Sequence, residues 1–232
     1  MAETIVLAGG QGSRLQSVIK DIPKPMAPVN GKPFLEYILY NLHKQKVTKT
    51  VLSVGYRYEV IADHFKDSYR GMSLVYSIED APLGTGGAIK QALQKVSESV
   101  VFICNGDTLF DIDIHSLQDF HTTKHADLSM AVKWLTGDRY GSIELDTDSR
   151  ISGFKEKKDA GNKLINGGFY LLNTAWFKKF ALPETFSFER DFIERFYKDF
   201  NFYGLEYNNY FIDIGVPEDY EKAVTDLSGC RI

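Results

Sequence analysis

The sequence is short of cysteine, of net positive charge and of long apolar runs, and each shortage removes a class of protein. Only Cys104 and Cys230 occur in 232 residues. Two cysteines exclude a disulfide framework, and no Cys/His spacing suits zinc. Cys104 lies in the apolar run VVFICNGD and reads as a buried free thiol. No apolar stretch approaches the ~18 residues needed to span a bilayer, and no secretory leader precedes the first expected strand. The reading is therefore of a cytoplasmic chain without a membrane partner. The 27 Lys and Arg are outnumbered by 31 Asp and Glu, giving a net charge of −4. That balance argues against a broad basic surface for nucleic acid, so an anionic ligand must meet cations gathered locally. What the chain does have is apolar bulk: 44% apolar residues, with 16 Phe and 13 Tyr, are enough for a sizeable core.

The length suits one large α/β domain, expected over residues 1–227 with 228–232 as a tail. Thr4–Ala8, Thr50–Val54, Ser73–Ser77 and Val100–Cys104 read as strands. Between them, Pro33–Gln45, Glu59–Phe65 and Ala88–Val96 carry helical apolar spacing. This alternation predicts a parallel sheet covered by helices on both faces. The second half is less regular. Leu128–Val132, Gly141–Leu145, Ile151–Lys155, Asn166–Leu172 and Tyr210–Ile214 read as strands, the middle ones forming an inserted lobe. Phe188–Lys198 reads as an amphipathic helix capped by Ser187, and Pro217–Thr225 starts a last helix.

Residues 7–15, LAGGQGSRL, follow the first strand. Gly9, Gly10 and Gly12 allow backbone N–H groups to approach an anion, and Arg14 adds a permanently charged planar fork. Taken alone the segment is equally a plain turn between strand and helix. It lacks the Gly-Lys-Ser/Thr of a Walker loop and the third glycine of a dinucleotide fingerprint, which disfavours a Rossmann dehydrogenase. Residues 23–33 then read PKPMAPVNGKP, with Lys24 held between two prolines that stiffen its backbone.

Together these two segments resemble the opening signature of the sugar-phosphate nucleotidyltransferases, and the resemblance runs over residues 3 to 225. It continues in Glu79 with PLGTGGA, Asn105-Gly106-Asp107, Tyr140-Gly141, Phe154-Lys155-Glu156-Lys157, Asn166-Gly167-Gly168 and Phe211–Gly215. The resemblance implies a Rossmann-like three-layer α/β/α sandwich with a mostly parallel mixed sheet and a small sugar-binding lobe. It implies that Leu7, Ala8, Gly9, Gly10, Gly12, Ser13, Arg14, Lys24, Glu79, Gly84, Thr85 and Asp107 bind the nucleotide. Asp107 and Asp213 hold Mg²⁺ in this reading, and Arg14, Lys24 and Asp107 are catalytic. Gly106, Gly141, Glu156, Lys157, Asn166 and Gly167 meet the sugar phosphate. Carboxylates at strand ends fit an open α/β site, and two of them suit a hard cation that also bridges phosphates. The five histidines match none of these segments and are read as surface or helix residues. Asp111 and Asp113 are placed at the start of a helix, and the aromatic run 180–211 is assigned to core and to a homodimer contact.

Within the family the chain looks most like the guanylyltransferases of D-glycero-D-manno-heptose 1-phosphate, with mannose 1-phosphate guanylyltransferases and uridylyltransferases of similar length as competitors. The partners implied are GTP and a sugar 1-phosphate. Uridylyl members commonly carry glutamine where this chain has Glu79, five residues before Gly84. A carboxylate only accepts hydrogen bonds, which suits the adjacent N1–H and amino donors of guanine and not the carbonyls of uracil. From another class, a catalytically silent regulatory subunit would be expected to lose Arg14, Lys24 or the aspartates, and this chain keeps them. One test follows from the sequence alone. Arg14→Ala should lower turnover by ~10²-fold or more, and Arg14→Lys should fail to restore it fully, because a point charge lacks the bidentate fork. Steady-state kinetics that show Arg14→Lys equal to wild type would refute the fork.

Overall fold

The computed structural model describes residues 2–10, 15, 21–137, 140–155, 161–230 and 232. The chain opens with β1 (Ala2–Leu7), buried from Glu3 to Val6 as a central parallel strand requires. A 3-10 turn at Lys24–Met26 and the short hairpin β2 (Pro28–Val29) and β3 (Lys32–Pro33) lead into α1 (Phe34–Lys44). Next come β4 (Val47–Val54), α2 (Tyr58–Phe65), β5 (Ser68–Tyr69), β6 (Met72–Ile78) and α3 (Gly84–Ala92). β7 (Val100–Asn105) is followed by β8 (Thr108–Phe110), α4 (Ile114–Thr123) and β9 (Leu128–Thr136). The hairpin β10 (Ser142–Leu145) and β11 (Ile151–Lys155) then precedes β12 (Asn162–Asn173) and α5 (Thr174–Phe177). A π-helical segment at Phe188–Ile193 runs into α6 (Glu194–Phe196), and β13 (Phe202–Glu206), β14 (Phe211–Asp213) and α7 (Pro217–Asp226) complete the order.

Eight strands form one sheet in the order β13-β9-β12-β7-β1-β4-β6-β5. Only β12 and β5 run against the rest, so the sheet is mixed and mostly parallel. Successive side chains on a strand point to opposite faces, and the core divides accordingly. Val6, Phe102, Cys104 and Leu171 face a layer containing Leu35 and Leu39 of α1, Ile61 of α2, Leu117 of α4 and Ala223 of α7. Ile5, Val101, Ile103 and Leu172 face the other layer, with Ile89 and Ala92 of α3, Phe177 of α5 and the π-helical Phe188 and Phe192. Each such large side chain contributes about 1.5–3 kcal/mol on burial. The result is the three-layer sandwich that the resemblance implies. Cys104 is buried and unpaired, and burial pushes its thiol up to about 12. Among the described residues no helix is long and apolar enough to cross a membrane.

The aromatics after residue 180 are largely internal, in line with their assignment to the core: Trp176 meets Phe180, Phe192, Phe200 and Phe202 edge-on at 4.8–5.7 Å between ring centroids. Other elements differ from expectation. Ser187 caps the segment at Phe188 as expected, its Oγ accepting from Arg190 N at 3.2 Å, but the turns that follow are π-helical before they become α. β13 is an edge strand hidden within that aromatic run. The helix expected over Ala88–Val96 starts earlier, at Gly84, so that GTGG forms the first turn of α3. Gly86 lies against the ring of Phe186, and Gly87 against the carbonyl of Glu184. Only glycine allows the helix to sit this close, which is why a run that looks like a helix breaker begins a helix.

The packing makes a stability test possible. A Cβ at Gly87 would overlap the Glu184 carbonyl oxygen, whereas one at Gly10 would meet nothing within 4 Å. Gly87→Ala should cost about 1–3 kcal/mol in urea-induced unfolding, and Gly10→Ala should stay within about 0.5 kcal/mol. Equal midpoints for the two variants would show that α3 can shift freely.

Candidate active site

The carboxyl ends of β1, β6 and β7 open onto a cleft of roughly 420 Å³. β1 delivers Leu7, Ala8, Gly9 and Gly10 to its wall, and Ala8 N donates to Ser53 O of β4 at 2.7 Å, which prolongs the sheet into the loop. β7 ends at Asn105, and Gly106 N donates to Leu7 O at 2.8 Å. Gly106 approaches so closely that an added Cβ would lie 2.7 Å from that same oxygen. This contact requires glycine here, and it holds the turn carrying Asp107 down against β1.

Asp107 and Asp213 are 106 positions apart in sequence, and the pairing of β8 with β14 brings them together. The register sets Asp213 opposite Thr108, and Ile214 N donates to Asp107 O at 3.0 Å. Neither β8 nor its pairing with β14 was legible in the sequence. Lys24 reaches both carboxylates from its 3-10 turn: Nζ donates to Asp107 Oδ2 at 2.6 Å and lies 3.7 Å from Asp213 Oδ1. Its side chain is only 9% exposed, so the charge is largely desolvated and depends on these partners. The aspartates are held by further donors. Asp107 Oδ1 accepts from Thr108 Oγ1 at 3.2 Å. Asp213 Oδ1 accepts from Gly215 N at 2.8 Å, and its Oδ2 from Tyr140 Oη at 3.1 Å.

The donor set is hard and sparse. Among the described residues no group of three or more His, Cys, Asp and Glu gathers to hold a metal ion. Two carboxylates beside a phosphate-sized cleft nonetheless fit Mg²⁺, which takes one or two protein carboxylates and completes its shell with water and phosphate oxygens.

Glu79 stands across the cleft at the end of β6. Its backbone N donates to Val54 O at 2.8 Å. Its Oε2 accepts from Leu83 N at 3.1 Å and its Oε1 from Ser53 Oγ at 3.3 Å. Burial raises its pKa above the usual carboxylate range, and these two hydrogen bonds only partly offset the effect. An added Cβ on Gly9 would fall 2.7 Å from Oε1, so the loop and the carboxylate form one wall. Gly84 and Thr85 line the same cleft at the start of α3. Gly84 has φ of +69° and would bring a Cβ to 2.6 Å from Phe186 O.

On the other side, the pairing of β12 with β9 breaks between Asn166 and Phe169. The bulge presses Gly167 against Phe110 and Gly168 against Asn105, directly beside the Asp107 turn. Gly141 follows Tyr140 and leads into β10. The structure thus brings Leu7–Gly10, Lys24, Glu79, Gly84, Thr85, Gly106, Asp107 and Asp213 around one cleft, with the Asn166–Gly168 bulge against its rim. Gly12, Ser13, Arg14, Glu156 and Lys157 lie outside the described residues. Sequence reasoning missed Tyr140 as a partner of Asp213, and missed Asn105, Pro25, Pro82, Ala88 and Gly215 as lining. Asn105 and Gly215 flank the motif aspartates, and that adjacency was the available signal. None of the five histidines lines the cleft. His121 of α4 is buried against Ser129 Oγ at 2.9 Å, and burial pushes its pKa down to about 4. Asp113 caps α4 by accepting from His115 N at 2.9 Å.

Comparison with known proteins agrees with this fold. The chain is 48% identical to a D-glycero-α-D-manno-heptose 1-phosphate guanylyltransferase of Aneurinibacillus thermoaerophilus, over 97% of this chain and 98% of that one. It is 48% identical to the protein of the same name from Campylobacter jejuni subsp. jejuni serotype O:2, over 94% and 96%. The crystal structure of HddC from Yersinia pseudotuberculosis superposes with a TM-score of 0.88 at 37% identity, covering 98% of this chain and 100% of that one. HddC has also been solved in complex with GMP-PN, with a TM-score of 0.86. Residues 3–229 match the family described as nucleotidyl transferase. With the fold, the strand-end carboxylates and near-full-length relatives in agreement, the chain belongs to the nucleotidyl transferase family.

Proposed function

We propose that the chain transfers GMP from GTP to D-glycero-α-D-manno-heptose 1-phosphate, giving the nucleotide-sugar and pyrophosphate. The observation that carries the reading is the ion-pairing of Lys24, in a cleft walled by a Gly-rich loop and by Glu79, with Asp107 of the same cleft and with Asp213 behind it. The names of the two relatives at 48% identity and the GMP-PN complex of HddC support the guanylyl and heptose parts. The convergence of Lys24 with both aspartates also disfavours a silent regulatory subunit.

The nucleophile is an oxygen of the sugar phosphate. It attacks the α-phosphorus of GTP, a new P–O bond forms, the bond from the α-phosphorus to the bridging oxygen breaks, and pyrophosphate leaves with that oxygen. The protein has to hold two polyanions in line and offset their repulsion. Gly9 and Gly10, with Gly12, Ser13 and Arg14 beyond them, take the β- and γ-phosphates. Lys24 places its ammonium at the reacting phosphates. Asp107 and Asp213 would hold Mg²⁺, which would supply positive charge to phosphate oxygens. Glu79 accepts from the N1–H and amino group of guanine with lone pairs that Ser53 and Leu83 leave over. Asn166, Gly167, Gly141 and Glu156 meet sugar hydroxyls, and Lys157 pairs with the sugar phosphate.

Two measurements test this. Asp107→Asn or Asp213→Asn should cut turnover by ~10²-fold or more and weaken Mn²⁺ binding followed by electron paramagnetic resonance, with the circular dichroism of the fold retained. Near-normal turnover of both variants at limiting Mg²⁺ would remove the two-carboxylate site. The second measurement concerns Glu79. Its raised pKa means that the carboxyl takes up a proton at a higher pH than an ordinary glutamate does as the medium is acidified. Protonation removes an acceptor, so the KM for GTP should rise on acidification while GTP remains preferred over UTP by roughly ten- to hundredfold at neutral pH. Glu79→Gln should flatten the pH dependence and narrow the preference. A wild-type preference for UTP or dTTP, or an unchanged pH profile in Glu79→Gln, would reject the assignment.

A further inference from the structure

Glu189 is absent from the lining of the cleft, yet its carboxylate joins the nucleotide side to the sugar side. Oε2 accepts from Thr85 Oγ1 at 2.7 Å and from Ser187 Oγ at 3.1 Å. Oε1 accepts from the hydroxyl of Tyr170 at 3.3 Å. Each of the two distant hydroxyls also accepts a bond. Phe188 N donates to Thr85 Oγ1 at 2.8 Å, and Asn166 Nδ2 donates to the Tyr170 hydroxyl at 2.7 Å.

The direction of this chain follows from its middle member. A carboxylate has acceptors only, so both hydroxyl protons must point at Glu189. The hydroxyl of Tyr170 then turns a lone pair towards Asn166, and the amide must present its NH₂ there. The other end of the amide agrees: Gly168 N donates to Asn166 Oδ1 at 2.8 Å. Tyr170 is fully buried, and burial together with the neighbouring Glu189 holds its phenol protonated. Beyond these two bonds the Asn166 amide has one further N–H and one further carbonyl lone pair. Which of them faces the sugar depends on the orientation that the chain imposes.

We propose that Glu189 is a positioning residue that acts through Tyr170 to orient the Asn166 amide, and so sets the hydrogen-bonding pattern offered to the sugar 1-phosphate. This rests on the reading of Asn166 as a sugar contact. Glu189→Gln preserves shape but replaces one acceptor with a donor, which turns a hydroxyl round. Tyr170→Phe removes the relay and leaves the Thr85 bond intact. Both KM values, the dissociation constant of GTP by calorimetry and thermal unfolding should be measured for each variant, for the pair combined and for Asn166→Ala. The expected result is a rise in the KM for sugar 1-phosphate of about tenfold in Glu189→Gln and in Tyr170→Phe, with the double variant no worse than about the worse single. The dissociation constant of GTP in Tyr170→Phe should stay within about twofold of wild type. The proposal is overturned if Asn166→Ala raises the sugar KM while Tyr170→Phe does not. It is also overturned if Tyr170→Phe weakens sugar and GTP equally alongside a lowered Tm, since that marks a purely structural role. If instead Asn166→Ala leaves the sugar KM unchanged, the sugar role of Asn166 fails first. Glu189→Gln need not fold for this decision, because Tyr170→Phe tests the same relay.

Discussion

Like charges have to be held side by side in this molecule. Asp107 and Asp213 repel each other, and a site for two phosphate-bearing substrates adds more negative charge to the same cleft. The buried ammonium of Lys24, 2.6 Å from one aspartate and 3.7 Å from the other, makes the arrangement possible in the folded chain. Removing one partner of a buried ion pair typically costs about 3–5 kcal/mol, because it strands the other charge. The prolines around Lys24 and the pairing of β8 with β14 serve the same constraint: each brings a charge to a place it would not otherwise occupy.

Close backbone approach is the second constraint. Gly106 against Leu7 O, Gly87 against Glu184 and the Gly167–Gly168 bulge against Phe110 and Asn105 let segments meet at distances a side chain would forbid. These contacts draw the ends of β1 and β7, the bulge of β12 and the start of α3 around one space. Glycines in such a sequence answer two separate demands. Gly9 and Gly10 line the cleft, whereas Gly87 and Gly106 sit where a Cβ would strike the backbone of another segment.

The polar network of Glu189 shows how the two walls of the cleft are tied. Thr85 lines the cleft and Asn166 lies in the bulge at its rim, and both are tied to one carboxylate outside the lining, Asn166 through Tyr170. A satisfied, part-buried network of this kind fixes proton direction as well as position. That property suits a site in which specificity depends on which amide group faces a hydroxyl.

The sequence by itself determined the layer order, because apolar runs of five or six residues alternating with amphipathic stretches can only be buried as a covered parallel sheet. It also determined the chemistry available: a Gly-rich loop, a stiffened lysine and two aspartates at strand ends. These features are local, carried by neighbouring residues within one segment. It did not reveal β8, the edge strand β13, the helical start at Gly84, the hydroxyl of Tyr140 on Asp213, or Glu189. Each of these depends on a partner far along the chain, Phe211 for Phe110, Trp176 for Phe202, Phe186 for Gly84 and Tyr170 for Glu189. Spacing along one segment carries no record of such partners, so only the packed tertiary structure could decide them.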